Sequence, residues 1–478
     1  MNNENNNILQ YAPLIQEIGS IQTPSLEHKD SFGSEYSAQN GSLGAGVYYS
    51  LNHNAPKATF AEATVKGQAP DKGLYFPKQI PKLPEGFIEN LRNYSKEEIG
   101  VIVMRPYVGN AIPLAELERI ISETVNFDFP LVKVTDDIYS LELFHGPTLA
   151  FKDVGARFMS RCLGYFNRNN NNHTTVLVAT SGDTGGAVAN GFLGVEGVDV
   201  VILYPSGKVS PIQELQLTTL GQNIKALEVD GTFDDCQAMV KRAFTDNDLN
   251  SKLTLTSANS INVARWLPQQ LYYFFAYRQW QYNEPPVICV PSGNFGNVCA
   301  GLIAHLSGLP VKHFIAACNA NDVVPEFLQS GEYIPKPAVA TISNAMDVGN
   351  PSNFVRIMEM FGQRLGDVKR ILSAVSVDDV TTEQTIKQVY NQQHYMLDPH
   401  GAVGYYALKE YLQQHPGDKG IFLETAHPVK FPEVVEKATN TKIPFPGSVQ
   451  HLLHQPKQSV NMPASFDALK EWLMNTNR

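Results

Sequence analysis

The chain has 478 residues with 37 basic and 47 acidic side chains, a formal net charge of −10 and a pI near 5.7. At about 150 residues per domain, that length predicts about three domains and a large buried core. With no basic stripe and no apolar run of the ~20 residues a bilayer span needs, the composition argues against a nucleic-acid binder and against a helical membrane protein. Residues 1–46 open MNNENNN and carry one basic and five acidic side chains. They lack the basic start and apolar core of a secretory signal and read as a flexible extension or an expression remnant. Residues 47–128 read as a small N-terminal domain, with a strand at Val47–Ser50, a Pro-punctuated stretch FPKQIPKLPEGF, and helices over 85–94 and 112–124.

From residue 129 a βαβ rhythm begins. The predicted strands are 173–180, 198–204, 224–229, 286–290, 313–317 and 420–423, with helices from 153, over 212–220, 233–244 and 298–306. Parallel sheets with helices on both faces follow from that alternation. Asn167–Asn172 reads as a solvent-exposed loop. The five cysteines (Cys162, Cys236, Cys289, Cys299, Cys318) form no C-x-x-C pair and lie in apolar stretches, which fits reduced core thiols and a cytoplasmic protein. No histidine pair has metal-ligand spacing, so no metal is expected.

Ligands of open α/β sheets bind in the loops after the strands. Pro291–Asn297 (PSGNFGN) places two glycines between a strand and a helix, where inward N–H groups and the helix N-terminus suit a phosphate monoester. The same loop is also compatible with a plain βα turn. Thr180–Gly186 (TSGDTGG) offers hydroxyls and N–H groups suited to a carboxylate, or merely a helix cap at Asp183 or Thr184. Lys152 follows an apolar stretch and opens a helix; burial there would lower its pKa and free a nucleophilic amine, although most lysines are solvated surface groups. Asn259, Ser260 and Arg265 could converge on an anion at a helix beginning near Asn262, or be an N-cap and a surface arginine. Thr425 follows a strand and could bond a neutral ring nitrogen; His400 in DPHG is first a turn signal and second a pocket residue.

Taken in order, YYS, KGQAPDKGLYFP, ELFHGPTLAFKD, TSGDTG, YPSGKVSPIQELQ, SANSINVARWLPQ, PSGNFGN, MDVGNPSNF, DPHGAV and TAHPVKFPE resemble the threonine synthases. These are pyridoxal-phosphate enzymes of fold type II, in the tryptophan synthase β superfamily, and the likeness is to their longer microbial and fungal form. The resemblance implies an α/β fold: two parallel-sheet domains that bind pyridoxal 5'-phosphate, plus the small N-terminal α/β domain. The smaller, mobile domain would be 153–255, and the larger one 129–152 with 256–478. Lys152 would attach the cofactor covalently and then move protons. Gly293, Asn294, Phe295, Gly296 and Asn297 would cradle its phosphate, Thr425 would bond its ring nitrogen, and Asp183 would sit by its 3-hydroxyl. Ser181 and Thr184 would meet the substrate's carboxylate; Asn259, Ser260 and Arg265 would hold its phosphate, with Lys430 and Lys208 as further candidates for that anion.

The implied reaction is O-phospho-L-homoserine plus water giving L-threonine and phosphate, by γ-elimination and β-hydration, the last step of threonine biosynthesis. The implied partner is that small molecule, with no nucleic acid and no membrane; a monomer is one assembly the sequence leaves open. A threonine dehydratase would use a glycine-richer phosphate loop and would not need the second anion site. A catalytically silent homologue would not need Lys152.

Overall fold

The computed structural model describes residues 46–170 and 173–476. The expected flexible extension at 1–46 therefore falls, apart from Gly46, outside the described residues, as do Asn171 and Asn172 of the asparagine tract.

Strands β1 (Val47–Ser50), β2 (Ala58–Thr59) and β3 (Tyr75–Pro77) form an antiparallel sheet in the order β2-β1-β3. Tyr48 Oη of β1 donates to Tyr107 O of helix α1 (Lys96–Val108), and α2 (Leu114–Thr124) packs on α1. Ser95 starts α1 with a capping box closed by Glu98, a S-x-x-E signal that outweighs Pro106 near the far end. The helix expected over 85–94 is absent; only one 3-10 turn forms, at Leu91–Asn93. Pro84 and Gly86 interrupt its start, and Gly86 takes φ +71. The 112–124 helix is present and starts at Leu114, after Pro113.

β4 (Leu131–Lys133) and β5 (Ile138–Glu142) pair antiparallel and lead to α3 (Lys152–Asn170). Helix α3 absorbs part of the asparagine tract, and Asn167 is buried, not solvated: its Nδ2 donates to Gly197 O at 2.8 Å. A βαβ series follows: β6 (Thr174–Ala179), α4 (Asp183–Phe192), β7 (Val198–Pro205), α5 (Pro211–Thr218), β8 (Ile224–Asp230), α6 (Phe233–Ala243) and β9 (Thr254–Thr256). Capping boxes at Ser210 and Thr232 fix the starts of α5 and α6. The chain then runs through α7 (Val263–Trp266), β10 (Val287–Pro291), α8 (Gly296–Ser307), β11 (His313–Cys318), α9 (Phe354–Met360), β12 (Leu372–Ser376), α10 (Pro399–Gln414) and β13 (Gly420–Glu424). It ends with β14 (Ser459–Pro463) and α11 (Phe466–Thr476).

Two sheets result: a six-stranded one ordered β12-β11-β10-β13-β5-β4, parallel except for β4, and a five-stranded parallel one ordered β14-β8-β7-β6-β9. The C-terminal strand departs from the sequence reading, which put all of 256–478 with the larger unit. β14 pairs with β8 instead, from Ser459↔Ala226 to Pro463↔Asp230. The physical reason is edge protection: β8 would otherwise leave its backbone unpaired, and α11 buries Phe466, Leu469 and Leu473 beside Cys236 and Met239 of α6. All five cysteines are buried and unpaired, as expected of core thiols. No described helix is long and apolar enough to cross a membrane.

Candidate active site

The segments singled out in the sequence each follow the carboxyl end of a strand. Lys152 lies beyond β5, Thr180–Thr184 beyond β6, Ser257–Arg265 beyond β9, Ser292–Asn297 beyond β10 and Thr425–Lys430 beyond β13. Parallel pairing brings those ends to one side of each sheet, which is where α/β proteins bind ligands.

Lys152 is the first residue of α3. The turn before it is pinned by Asp153, whose carboxylate accepts from Thr148 N at 2.9 Å and Thr148 Oγ1 at 2.5 Å. Leu149 in that turn takes φ +59, a left-handed value unusual for a β-carbon-bearing residue and typical of strained functional loops. Phe151 N donates to Thr425 O at 2.8 Å, so the lysine is anchored to the strand end that carries Thr425. Tyr272 Oη donates to Phe151 O from the other side. Burial pushes the Lys152 amine below its ordinary pKa; Asp183 opposes the shift, and Lys430 and Arg265 add to it.

Asp183 begins α4 and is buried. Its Oδ2 lies 4.0 Å from Lys152 Nζ, and its Oδ1 lies 2.7 Å from Lys430 Nζ and accepts from Gln213 Nε2 at 2.9 Å. Burial alone would raise its pKa, but Lys430, then Lys152, and the hydrogen bonds from Lys430 and Gln213 overcome this and hold it well below the usual carboxylate range.

Lys430, expected as a candidate for the substrate's phosphate, sits against Asp183. Its ammonium is fully buried and meets three acceptors: Asp183 Oδ1, Thr148 O at 2.9 Å and Gln216 Oε1 at 3.1 Å. An ammonium has three N–H bonds, and each has an acceptor here. Lys208, the other candidate, lies exposed on the loop after β7.

Two backbone clusters have the opposite property. The N–H groups of Gly293, Asn294, Phe295, Gly296 and Asn297 donate to no acceptor among the described residues. Phe295, the residue before α8, takes φ +62, which turns this run of donors at the helix N-terminus. Gly293 is required by space: a Cβ there would lie 2.6 Å from Met346 Cα. Asn297 Nδ2 donates to Pro291 O at 2.7 Å and Asn294 Oδ1 accepts from Ser352, so these side chains brace the loop while its backbone faces the ligand. At the start of α4, the N–H groups of Ser181, Asp183 and Thr184, together with the Ser181 and Thr184 hydroxyls, are likewise without protein partners among the described residues.

Arg265 is 3% exposed, with Nη1 donating to Ala258 O at 2.6 Å and Nε left without a partner. Burial lowers its pKa to about 10, with Tyr272 and Asp153 opposing. Asn259 Oδ1 is also buried and unpartnered, and Ser260 Oγ accepts from Asn294 Nδ2 at 2.7 Å. Helix α3 lies against this segment at Gly155, where a Cβ would come within 2.4 Å of Arg265 O. The N-cap of α7 is Asn262, as expected, but Arg265 is not a surface residue. The Thr425 hydroxyl makes no hydrogen bond among the described residues. His400 is buried, with Nδ1 2.5 Å from Asp398 Oδ1 and Nε2 accepting from Ala345 N at 3.1 Å.

Sequence reading missed Gln213, Gln216, Asn353 and Arg356. The two glutamines lie three apart on the capped helix α5, so their shared face was readable in SPIQELQ; nothing local marked what that face would meet.

The donor set fits a phosphate-bearing carbonyl cofactor: a cradle of unsatisfied N–H groups, a neutral hydroxyl and a half-buried amine of lowered pKa. Comparison with known proteins agrees. Residues 130–423 match the family described as pyridoxal-phosphate dependent enzymes, residues 47–125 the threonine synthase N terminus and residues 401–473 the threonine synthase C-terminal family. A threonine synthase from Escherichia coli strain K12 is 44% identical over 429 residues, covering 89% of this chain and 99% of that one. Among solved structures, threonine synthase from Escherichia coli superposes with a TM-score of 0.84 at 43% identity, over 90% of this chain and 100% of that chain. The pyridoxal-phosphate-bound threonine synthase from Brucella melitensis gives 0.85 at 34% identity, over 90% and 99%.

Proposed function

The chain belongs to the threonine synthase family of pyridoxal-phosphate enzymes, and from that premise we propose how its own residues divide the work. The reaction is the conversion of O-phospho-L-homoserine and water to L-threonine and phosphate, the last step of threonine biosynthesis, with pyridoxal 5'-phosphate as cofactor. The cofactor, when bound, supplies the electron sink that lets bonds at the substrate's Cα and Cβ break and re-form. Its phosphate would lie on the N–H groups of Gly293–Asn297, its ring nitrogen at Thr425 and its 3-hydroxyl beside Asp183. A threonine at the ring nitrogen brings no charge, so it does not enforce ring protonation.

The observation that carries this reading is the half-buried Lys152 amine, 4.0 Å from Asp183 Oδ2, in a chain whose strand ends also carry two groups of unsatisfied donors. Its lowered pKa favours the free amine, which both attaches the cofactor and takes a proton from the substrate's Cα. The donors at Ser181 and Thr184 hold the substrate's carboxylate. Arg265, Asn259 and Ser260 hold the phosphate at the far end, in the bound substrate and through departure. Lys430 acts one step back: it keeps Asp183 ionised and in place.

We read the six-stranded and five-stranded sheets as the cores of the two domains that face each other across this site, the smaller one closing to exclude water. The buried free thiols support a reducing compartment, the cytoplasm, and the acidic balance supports an enzyme without a nucleic-acid partner. The test is phosphate release from O-phospho-L-homoserine by the purified protein loaded with pyridoxal phosphate. Lys152→Ala is expected to lower that rate by at least about a thousandfold and to abolish the covalent attachment seen in the visible spectrum. Wild-type turnover in Lys152→Ala would sink the assignment.

A further inference from the structure

The motif MDVGNPSNF has no direct role in the site described above, yet Asn353 within it and Arg356 just beyond it are both fully buried. Among the described residues Arg356 has no carboxylate partner. Its Nη2 donates to Tyr75 O at 2.9 Å and Ile261 O at 2.6 Å, its Nη1 to Ser260 O at 3.4 Å and to Asn353 Oδ1, and its guanidinium lies 4.9 Å from the Trp266 ring. A guanidinium only donates, so the atom of Asn353 facing it is the amide oxygen. The Asn353 Nδ2 must then point the other way, and it does: it donates to Ser260 Oγ at 3.2 Å and to Asn294 O at 3.0 Å.

The same logic orients Asn294. Its Oδ1 accepts from the Ser352 backbone N–H at 2.6 Å, which leaves its Nδ2 as the donor to Ser260 Oγ at 2.7 Å. Two amide donors therefore meet one hydroxyl oxygen. Both acceptor positions of Ser260 are filled, and its O–H is left with nothing to do but donate. No acceptor for that proton exists among the described residues.

We infer that Asn353, oriented by Arg356, is a positioning residue: it forces Ser260 to act as a hydrogen-bond donor to the substrate's phosphate, an acceptor-only group, and ties that donor to the cofactor-phosphate loop through Asn294. This rests on the reading that Ser260 contacts the substrate's phosphate. It gives the two phosphate sites one frame, with Asn294 shared between them, so their spacing is set by Asn353 and not by the loops separately.

The experiment uses the holoenzyme with three single substitutions, Ser260→Ala, Asn353→Asp and Asn353→Ser, and the double variant Ser260→Ala/Asn353→Asp. Asn353→Asp keeps the shape and the Arg356 bond but turns the donor into an acceptor, so the Ser260 O–H is drawn away from the substrate. Three quantities are read: KM and kcat for O-phospho-L-homoserine, the calorimetric affinity for inorganic phosphate, and the melting temperature. Asn353→Asp and Ser260→Ala are each expected to raise KM and to weaken phosphate binding by roughly tenfold or more, with a much smaller change in kcat. The double variant is expected to be no worse than either single one, because both remove the same hydrogen bond. If Asn353→Asp does not fold, Asn353→Ser, whose single short hydroxyl cannot both meet Arg356 and reach Ser260 Oγ and which adds no charge, carries the same expectation. Ser260→Ala weakening phosphate binding while both Asn353 variants bind normally, or losses that multiply in the double variant, would overturn the inference alone. Normal phosphate binding in Ser260→Ala would overturn the placement of the substrate's phosphate, and this inference with it.

Discussion

Arg265 and Lys430 show how two buried cations of one site come to do different work. Arg265 keeps an unpartnered Nε, whereas every proton of Lys430 has an acceptor. Arg265→Ala should therefore weaken the transition-state complex with O-phospho-L-homoserine by about 2–4 kcal/mol, as for stripping one partner from a buried charge pair, measured as a fall in kcat/KM. Lys430→Met should act through Asp183 and through stability. The folded-state pKa of Asp183 is depressed, so its contribution is fully present above the unfolded value and is lost only as pH falls through the folded one. Without Lys430, burial dominates and the folded pKa rises. The variant should be less stable than wild type by about 3–5 kcal/mol at pH 7 in urea unfolding of the cofactor-free protein, and the gap should narrow toward pH 4. A gap independent of pH would mean that Lys430 supports packing and not the carboxylate. At this scale the sequence picked out Lys152, Asp183 and Thr425 from motifs whose residue types match the chemistry, and the fold brings Lys152 to 4.0 Å from Asp183 and ties Phe151 to Thr425. It could not separate Lys430 from Arg265, since both are cations beside anion-binding motifs and only their partners differ.

Elements carry these residues, and the starts of α5, α6 and α7 were legible because the first turn satisfies its own donors: Ser210 and Thr232 bring capping boxes and Asn262 caps α7. The capped starts of α1 at Ser95 and α10 at Asp398 went unread. The 85–94 segment has an apolar pattern but no such start, and it stays a series of turns. The phosphate loop is the reverse case: its donors must remain unsatisfied, so its shape is imposed by neighbours. Met346 presses on Gly293, and Ser352 and Asn353 hold Asn294. Gly293→Ala is expected to push the loop off the Ala345–Met346 backbone at about 1–3 kcal/mol of strain. The measurable consequence is weaker binding of pyridoxal phosphate in absorbance titrations of the cofactor-free protein, with secondary structure retained. Unchanged cofactor affinity would show that the loop has room the structure does not suggest.

For the molecule as a whole, the last strand and helix belong to the sheet begun at residue 174. Lys457 bonds Glu214 at 2.6 Å and Glu228 at 2.7 Å, Lys470 bonds Asp246 and Asp248, and α11 buries Phe466, Leu469 and Leu473. Removing residues 456–478 should expose that apolar face and the β8 edge. At about 1.5–3 kcal/mol per large side chain the loss is enough to lower the melting temperature sharply and to promote aggregation. A truncated protein that melts like the full chain would mean that the five-stranded sheet does not depend on its C-terminal cover. By itself the sequence determined the parallel α/β class, the family and its cofactor, because each is written in short-range spacing and residue chemistry. Only the tertiary structure decided that Lys430 meets Asp183, that Arg265 is buried and that Asn353 and Asn294 converge on Ser260. Those roles depend on which donors and acceptors remain unpaired once distant segments meet, and no local pattern records what a side chain will find across the fold.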